Sequence, residues 1–524
     1  VKNPADSAPT TTGSDAPGGA GLRAFAVAVA TALVLGACSP GSDADSGSDE
    51  AEDTREQASG EPDQLTVVDR ALVVGLGEES DSGDEGGVRS DVSHPTIDGA
   101  EPLNERLAEL TAQELADFKA ANPGAKAFGL SWELTAAGDD VVGVRFTRDE
   151  EDSDGPRTGY ATYWYDAATK HPAYSTELLA GQEQLVELNG IVKEHLSAND
   201  KVDVSAIHPI LRLYDSMGFN PAGDLVVEFD AGEVASVSEG RVHTVVKRDE
   251  AAPLLSDFGT RARDTSTRVT PDFAVDPSPA AEPSTEPSAA AAAEPVAIPG
   301  VFSQLEPPVD CSTAEAKCVA LTFDDGPGDR TEELLDVLAE YDAKATFFLT
   351  GGPVREHPTT VRREYAEGHE LANHTVNHPD LRKVSDKRLA EELSTVNALV
   401  RRETGYTMDL MRPPYGATND KVAEAAEEHG LAEIIWSLDT NDWKDRNAGV
   451  VTSRTIKGVK PGSIVLMHDI HSTTIDSVEK TLKKLTERGY TMVTVGQLLG
   501  ETEPGQSYFD GYPAAESPSP SPEA

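Results

Sequence analysis

Residues 319 to 328 read Val-Ala-Leu-Thr-Phe-Asp-Asp-Gly-Pro-Gly, and this run constrains the fold of the chain more than any other. Val319 to Phe323 is apolar enough for a buried strand, and Gly326-Pro327-Gly328 is strong turn chemistry. Between strand and turn stand two carboxylates, Asp324 and Asp325. Neighbouring residues at a strand end point in different directions, so each can meet a different partner. Two anions placed where a strand leaves a core are costly unless a cation or hydrogen-bond donors receive them. An Asx-type turn that merely ends a strand accounts equally well for Asp-Asp-Gly in isolation. Residues elsewhere in the chain must decide.

About two hundred residues around this run alternate strand and helix. Strands are expected near 318–323, 344–349, 432–438, 463–468 and 490–495, and helices near 330–341, 354–367, 386–403, 419–429 and 475–487. Such alternation predicts a parallel sheet or barrel with its function at the carboxyl ends of the strands. At 524 residues the chain has room for two or three domains, each able to bury a core. Its 92 acidic residues against 44 basic ones give a net charge of −48, which argues against nucleic acid or an anionic membrane surface as an electrostatic partner.

Ahead of this region, Arg23 precedes an apolar run, Ala24 to Leu35, too short and Ala-rich for a membrane span. It ends in Leu35-Gly36-Ala37-Cys38, which resembles the bacterial lipobox, whose Cys is acylated and becomes the new N-terminus. An ordinary signal peptide with an incidental Cys is the alternative. The acidic Ser/Gly/Asp run from Ser39 onward favours the lipoprotein, anchored outside the cytoplasm by its acyl chains. The stretch before the apolar run is long and carries only Lys2 and Arg23 as cations, so the translation start is expected downstream of Val1. Of the three cysteines, Cys311 and Cys318 lie close together before the Asp-Asp strand, where a disulfide could staple the domain entry. Two free thiols are the alternative.

The sequence divides into a signal peptide (1–38), an acidic tether (39–63), an α+β accessory domain (64–258), a Pro/Ala-rich linker (259–300), the strand–helix domain (301–500) and an unstructured tail (501–524). In the accessory domain strands are expected at Leu65–Leu76, Val141–Thr147, Gly159–Tyr165 and Asp224–Phe229, largely in hairpins. Helices are expected around Leu103 to Phe118 and over Gln182 to Leu196, with an acidic loop from Glu78 to Glu85. His171, His195, His208 and His243 are scattered through it and form no catalytic constellation.

Four stretches of the strand–helix domain bear on Asp324 and Asp325. In His374-Thr375-Val376-Asn377-His378-Pro379, two His four apart in a helical turn share one face and can offer both imidazoles to one metal. In Arg412-Pro413-Pro414-Tyr415-Gly416, the prolines fix the backbone that carries Arg412 and the Tyr415 amide. Asp439-Thr440-Asn441-Asp442-Trp443 sets carboxylates and an aromatic at another strand end. Ile464-Val465-Leu466-Met467-His468 delivers an imidazole on a buried strand. Singly these could be a packed histidine pair, a surface turn, a loop and a satisfied core histidine.

Together and in this order, the Asp-Asp-Gly-Pro, His-Thr-x-x-His-Pro, Arg-x-x-Tyr-Gly, Asp-x-x-Asp-Trp and Leu-x-His patterns resemble the polysaccharide deacetylase family, the NodB-homology domain of carbohydrate esterase family four, over about residues 312 to 500. The resemblance implies a distorted, incomplete (β/α) barrel. It further implies Asp325, His374 and His378 as ligands of Zn²⁺, with Co²⁺ or Ni²⁺ also accommodated, and Asp324 as general base paired with Arg412. Tyr415 would offer its amide to the oxyanion, Asp442 would orient the general acid His468, and Trp443 and Leu466 would line the acetyl pocket. The implied activity is N-deacetylation of peptidoglycan amino sugars. The alternatives are an O-acetyl esterase on xylan, a chitin or chitooligosaccharide deacetylase, or a wall- or lysozyme-sensing protein. The last follows from the first domain, whose Pro95–Gly99, Tyr163-Trp164-Tyr165, Phe219–Leu225 and Glu233–Gly240 stretches resemble the outer domain of lysozyme-sensing anti-sigma factors. That resemblance implies wall or lysozyme contact.

Overall fold

The computed structural model describes residues 58–276 and 310–511. Cys38, the acidic tether before residue 58, residues 277–309 and the tail beyond 511 lie outside the described residues.

Three sheets are found among the described residues. The first is six-stranded and follows sequence order: Leu76–Glu85, Val88–Ile97, Ala127–Gly138, Val141–Glu151, Pro156–Asp166 and His171–Tyr174. Its neighbours are antiparallel except Val88–Ile97 with Ala127–Gly138, which are parallel and joined by the helix Glu101–Ala121. Of the apolar positions that the sequence periodicity marks, that helix buries Leu103, Leu107 and Phe118 and leaves Leu110 and Leu115 partly exposed. A small antiparallel sheet, Ser216–Phe219, Leu225–Phe229 and Val242–Val246, packs nearby, and the helix Gln182–Leu196 spans the residues expected for it.

Three expectations for this region change. The acidic stretch Glu78 to Glu85 is no loop. It belongs to an edge strand paired residue for residue with Val88–Ile97, and charge is tolerated there because the edge faces water. The expected strand Leu65–Leu76 is broken by the turn Arg70–Leu72, capped by Asp69, and meets the sheet through a bridge from Val68 to Leu134 and through Leu76, which opens the strand Leu76–Glu85. The linker begins later than 259. The helix Asp257–Ser266 is capped by Ser256, and Ala262, Phe273 and Val275 are buried in the first domain, with Phe273 bridged to Val73.

The third sheet has nine strands among the described residues, all parallel. Its order is Leu438–Asp439, Ile464–His468, Cys318–Asp324, Thr346–Leu349, Glu370–Asn373, Leu410–Met411, Ala432–Ile434 and Ser507–Tyr508, with Thr491–Val493 also on Cys318–Asp324. The result is the distorted (β/α) barrel that the family resemblance implies, with every residue of Cys318–Asp324 buried. The expected strand 432–438 is two short strands on different partners, because the chain there passes from one side of the ring to the other. Residues 501–511 belong to the fold rather than to a tail: Ser507–Tyr508 extends the sheet, and Asp510 bridges to Ser463. The expected helix 354–367 is two, Gly351–Glu356 and Pro358–Ala366, since a proline suits a helix start better than its interior. Cys311 and Cys318 form a disulfide at the entry to the central strand.

The two regions pack against each other. Helix Glu101–Ala121 lies against helix Asp386–Thr404, and one apolar cluster runs from Leu188 and Leu213 to Val354 and Leu399. At its border Arg402 reaches the Glu150 carboxylate at 2.8 Å and Arg362 donates to the Glu233 carbonyl at 3.1 Å.

Candidate active site

Parallel pairing puts the ends of neighbouring strands side by side, and that alone brings most of the candidate residues together. Asp324 ends the central strand opposite His468 on Ile464–His468, and opposite Phe348 on its other side. Asn373, which precedes His374, pairs with Met411, which precedes Arg412. The candidates from four strands therefore share one end of the barrel.

Arg412 is wholly buried and fully engaged. Its Nη1 donates to Asp324 Oδ1 at 2.5 Å and to Thr322 Oγ1 at 2.8 Å. Its Nε and Nη2 donate to the carbonyls of Ile434 and Ile435 at 2.9 and 3.1 Å, and the guanidinium lies 3.9 Å from the Phe348 ring centre. A planar cation fixed on so many sides cannot follow a moving partner, so Asp324 is held on a rigid support. Burial pushes the Asp324 carboxyl above its usual range, and the charges of Arg412 and His468 offset that only in part.

Asp324 Oδ2 lies 3.6 Å from His374 Nε2, and Asp325, with φ of 72°, directs its side chain toward both imidazoles. Its Oδ1 lies 3.6 Å from His374 Nε2 and 3.5 Å from His378 Nε2, and the three ligating atoms all fall within 4.8 Å of one another. Two ligands about 2.0–2.2 Å from one ion at a near-tetrahedral angle lie about 3.4 Å apart, so this spacing fits a single metal. The donors fit as well. His374 Nδ1 faces the Arg412 carbonyl at 2.7 Å, which as an acceptor fixes that nitrogen as N–H and leaves Nε2 its lone pair. Burial draws the His374 pKa down to about 3, with Asp325 opposing only in part, so the ring is neutral as a ligand must be.

The pair is not helical, as the spacing suggested. Residues 374–378 form a loop in which Thr375 and His378 take φ of 69° and 54°. The imidazoles meet because the chain reverses between them, with the rings 5.0 Å apart.

Opposite this group His468 Nδ1 pairs with Asp442 Oδ1 at 2.9 Å, and Asp442 Oδ2 accepts from the His468 backbone N–H at 2.8 Å and from Thr474 Oγ1 at 2.6 Å. Burial works to lower the His468 pKa, but the Asp442 hydrogen bond and the Asp324 and Asp442 charges outweigh it and raise it to about 9. Asp442 remains below its usual range for the matching reason, burial being outweighed by its bonds to His468. The imidazole is therefore protonated at neutral pH.

Tyr415, 69% exposed, stands over the loop with its ring 4.6 Å from that of His378, and its φ of 64° turns the backbone after the two prolines. Among the described residues its N–H has no hydrogen-bond acceptor. Trp443 is 48% exposed beside Asp442, whereas Leu466 is buried on the same strand face as His468, two residues before it. Sequence reasoning missed the residues that hold the loop, Asn373, Glu392 and Asn397. Asn373 adjoins His374 and could have been suspected, but nothing in the sequence ties Glu392 to this loop.

Together these features define a class: a parallel (β/α) barrel carrying a two-histidine, one-aspartate group able to hold a metal, beside a buried carboxylate–arginine pair and a carboxylate–imidazole pair. Residues 312–434 match the family model described as polysaccharide deacetylase, and the chain belongs to that family. It is 47% identical over 196 residues to the peptidoglycan-N-acetylglucosamine deacetylase PgdA of Listeria monocytogenes, an overlap of 37% of this chain and 41% of that protein. It is 39% identical to the peptidoglycan-N-acetylmuramic acid deacetylase PdaC of Bacillus subtilis, over 35% of this chain and 38% of that protein. A peptidoglycan-N-acetylglucosamine deacetylase of Bacillus cereus is 37% identical over 35% of this chain and 88% of its own length. The match thus spans about two-fifths of the first two relatives.

Proposed function

We propose that this chain is a metal-dependent hydrolase that removes N-acetyl groups from the amino sugars of peptidoglycan. The observation that carries the reading is the division of labour between adjacent carboxylates. Asp325 faces two imidazoles while Asp324 is locked to Arg412.

Asp325, His374 and His378 would hold the ion, zinc first, with cobalt or nickel accepted by the same donors. Bound there, it supplies Lewis acidity for the acetyl carbonyl and makes water a nucleophile near neutral pH. Asp324 accepts a proton from the attacking water as its oxygen bonds to the carbonyl carbon; burial raises its basicity, and Arg412 keeps it oriented. The Tyr415 N–H donates to the oxygen on which charge develops. His468, protonated and steadied by Asp442, gives its proton to the sugar nitrogen as the C–N bond breaks, and acetate and a free amine result. Trp443 and Leu466 flank the acetyl methyl.

The names of the relatives support peptidoglycan as the substrate, and N-acetylglucosamine over N-acetylmuramic acid as its sugar. The Cys311–Cys318 disulfide supports an extracytoplasmic location, for which we assign Cys38 as the lipid-anchoring residue. The first domain is assigned contact with the wall or with lysozyme on its sequence resemblance. The test is mass spectrometry of wall fragments after incubation with zinc-loaded parent and Asp324→Asn. Loss of acetyl groups with the parent alone is expected. Unchanged wall together with acetate release from acetylated xylan would make the chain an O-acetyl esterase instead.

A further inference from the structure

The loop carrying His374 and His378 belongs to no helix or strand, and it holds two non-glycine residues, Thr375 and His378, at unfavourable positive φ. Something must hold it. The amide groups at its centre converge on one side chain. Glu392 is 1% exposed, and its Oε2 accepts from the backbone N–H of Val376 and of Asn377, each at 2.8 Å. Its Oε1 accepts from Asn377 Nδ2 at 3.1 Å. Two consecutive amides can point at one oxygen only when the chain between them is sharply bent, so the carboxylate selects the bend that turns His378 back toward His374. Glu392 is rooted in the helix Asp386–Thr404, where Arg388, one turn earlier, meets Oε1 at 2.6 Å. From the same helix Asn397 Oδ1 accepts from Asn373 Nδ2 at 2.8 Å, while Asn373 Oδ1 accepts from the Thr375 N–H at 2.8 Å. One helix thus grips the loop at its entry and at its centre.

We propose that Glu392 is the positioning residue of this loop, clamping residues 376–377 so that both imidazoles face Asp325. The proposal rests on the reading of Asp325, His374 and His378 as ligands. Hydrogen bonds to ionised acceptors are roughly twice as strong as neutral ones, and supporting residues behind metal ligands typically cost about 10–100-fold in metal affinity when removed.

The test is a Co²⁺ titration of the full chain, followed by visible absorption, for the parent, Glu392→Ala, Glu392→Gln and, as a charge control on the same helix, the exposed Glu391→Ala. Glu392→Ala is expected to bind Co²⁺ about 10–100-fold more weakly. Glu392→Gln, which keeps one oxygen acceptor, should recover part of that loss, and Glu391→Ala should match the parent. Equal affinity in Glu392→Ala and parent, with far-UV circular dichroism preserved, overturns the proposal. A parent that binds no Co²⁺ overturns the ligand reading itself, a distinct result. Amide hydrogen exchange in the parent keeps the idea testable if Glu392→Ala does not fold. The Val376 and Asn377 amides should exchange as slowly as those of the helix Asp386–Thr404, and exchange at open-loop rates refutes the clamp.

Discussion

Asp324 and Asp325 are neighbours in sequence that share His374 but differ in their other partners. One is fully buried against Arg412, and the other is turned by its positive φ toward His374 and His378. Substitutions should separate these duties. His378→Ala is expected to abolish both metal binding and activity, because a three-ligand site loses a ligand. His468→Ala should keep its metal while losing about 10²–10⁴-fold in kcat, and equal metal loss in the two variants would contradict the assignment. The acid should be visible in the pH profile. A histidine with its pKa raised to about 9 donates a proton below that value, so activity should fall as pH rises through about 9. Asp442→Asn should move this alkaline limb down toward the ordinary histidine value of about 6.5. Stability follows the same sign. The His468–Asp442 pair contributes fully below about pH 6.5 and is lost as pH rises through about 9, so the melting-temperature gap between parent and Asp442→Asn should close over that window.

Helix Asp386–Thr404 does the most at the scale of single elements. Ser385 caps it, with its hydroxyl accepting from the Arg388 N–H, and Gly405 ends it at a φ of 78°. It buries Leu389, Leu393 and Val396 on the barrel while presenting Glu392 and Asn397 to the histidine loop. Sequence periodicity locates this helix within a residue or two, because its apolar face follows a simple repeat. Side-chain hydrogen bonds to a distant loop obey no repeat, so Glu392 was illegible. The same contrast runs through the barrel. Apolar runs such as Val319–Phe323 and Ile464–Met467 announce their strands. Glu370–Asn373, which is partly polar, and Leu410–Met411, only two residues long, do not, and they exist through their neighbours. The closing strand Ser507–Tyr508 lies in a Gly/Pro-rich stretch that reads as a tail, yet Tyr508 accepts the Ile435 N–H through its carbonyl at 2.8 Å. Ending the chain after Gly500 should therefore lower the melting temperature by several degrees, since the barrel edge at Ala432–Ile434 loses its partner. A truncated chain that melts with the parent would show the strand to be dispensable.

At the scale of the whole molecule, the two regions are not beads on a string. The apolar cluster continuous from Leu213 to Leu399 and the Arg402–Glu150 pair join the first domain to the helix that braces the histidine loop. Glu150, with burial outweighed by the charges of Arg402, Arg148 and Arg157, titrates at about 2 and stays ionised at neutral pH. Arg402→Ala removes one of its three cations, and about 1–3 kcal/mol of stability is expected to go with it, less than for a pair left wholly unmatched. Thermal melting of the full chain measures this, and no shift would mean that the contact contributes nothing. The family motifs announced the barrel and its site, whereas the docking surface rests on scattered arginines and carboxylates that read as ordinary surface charge. The central claim, that Asp324 acts as a base beside a metal held by Asp325, His374 and His378, is tested most directly by acetate release. The full chain, stripped with chelator, is given N-acetylglucosamine oligomers with and without one equivalent of Zn²⁺. Zinc-dependent release of acetate and amine in equal amounts is expected from the parent and not from Asp324→Asn, which should still bind the metal. Equal release by parent and Asp324→Asn, or release indifferent to zinc, would contradict it.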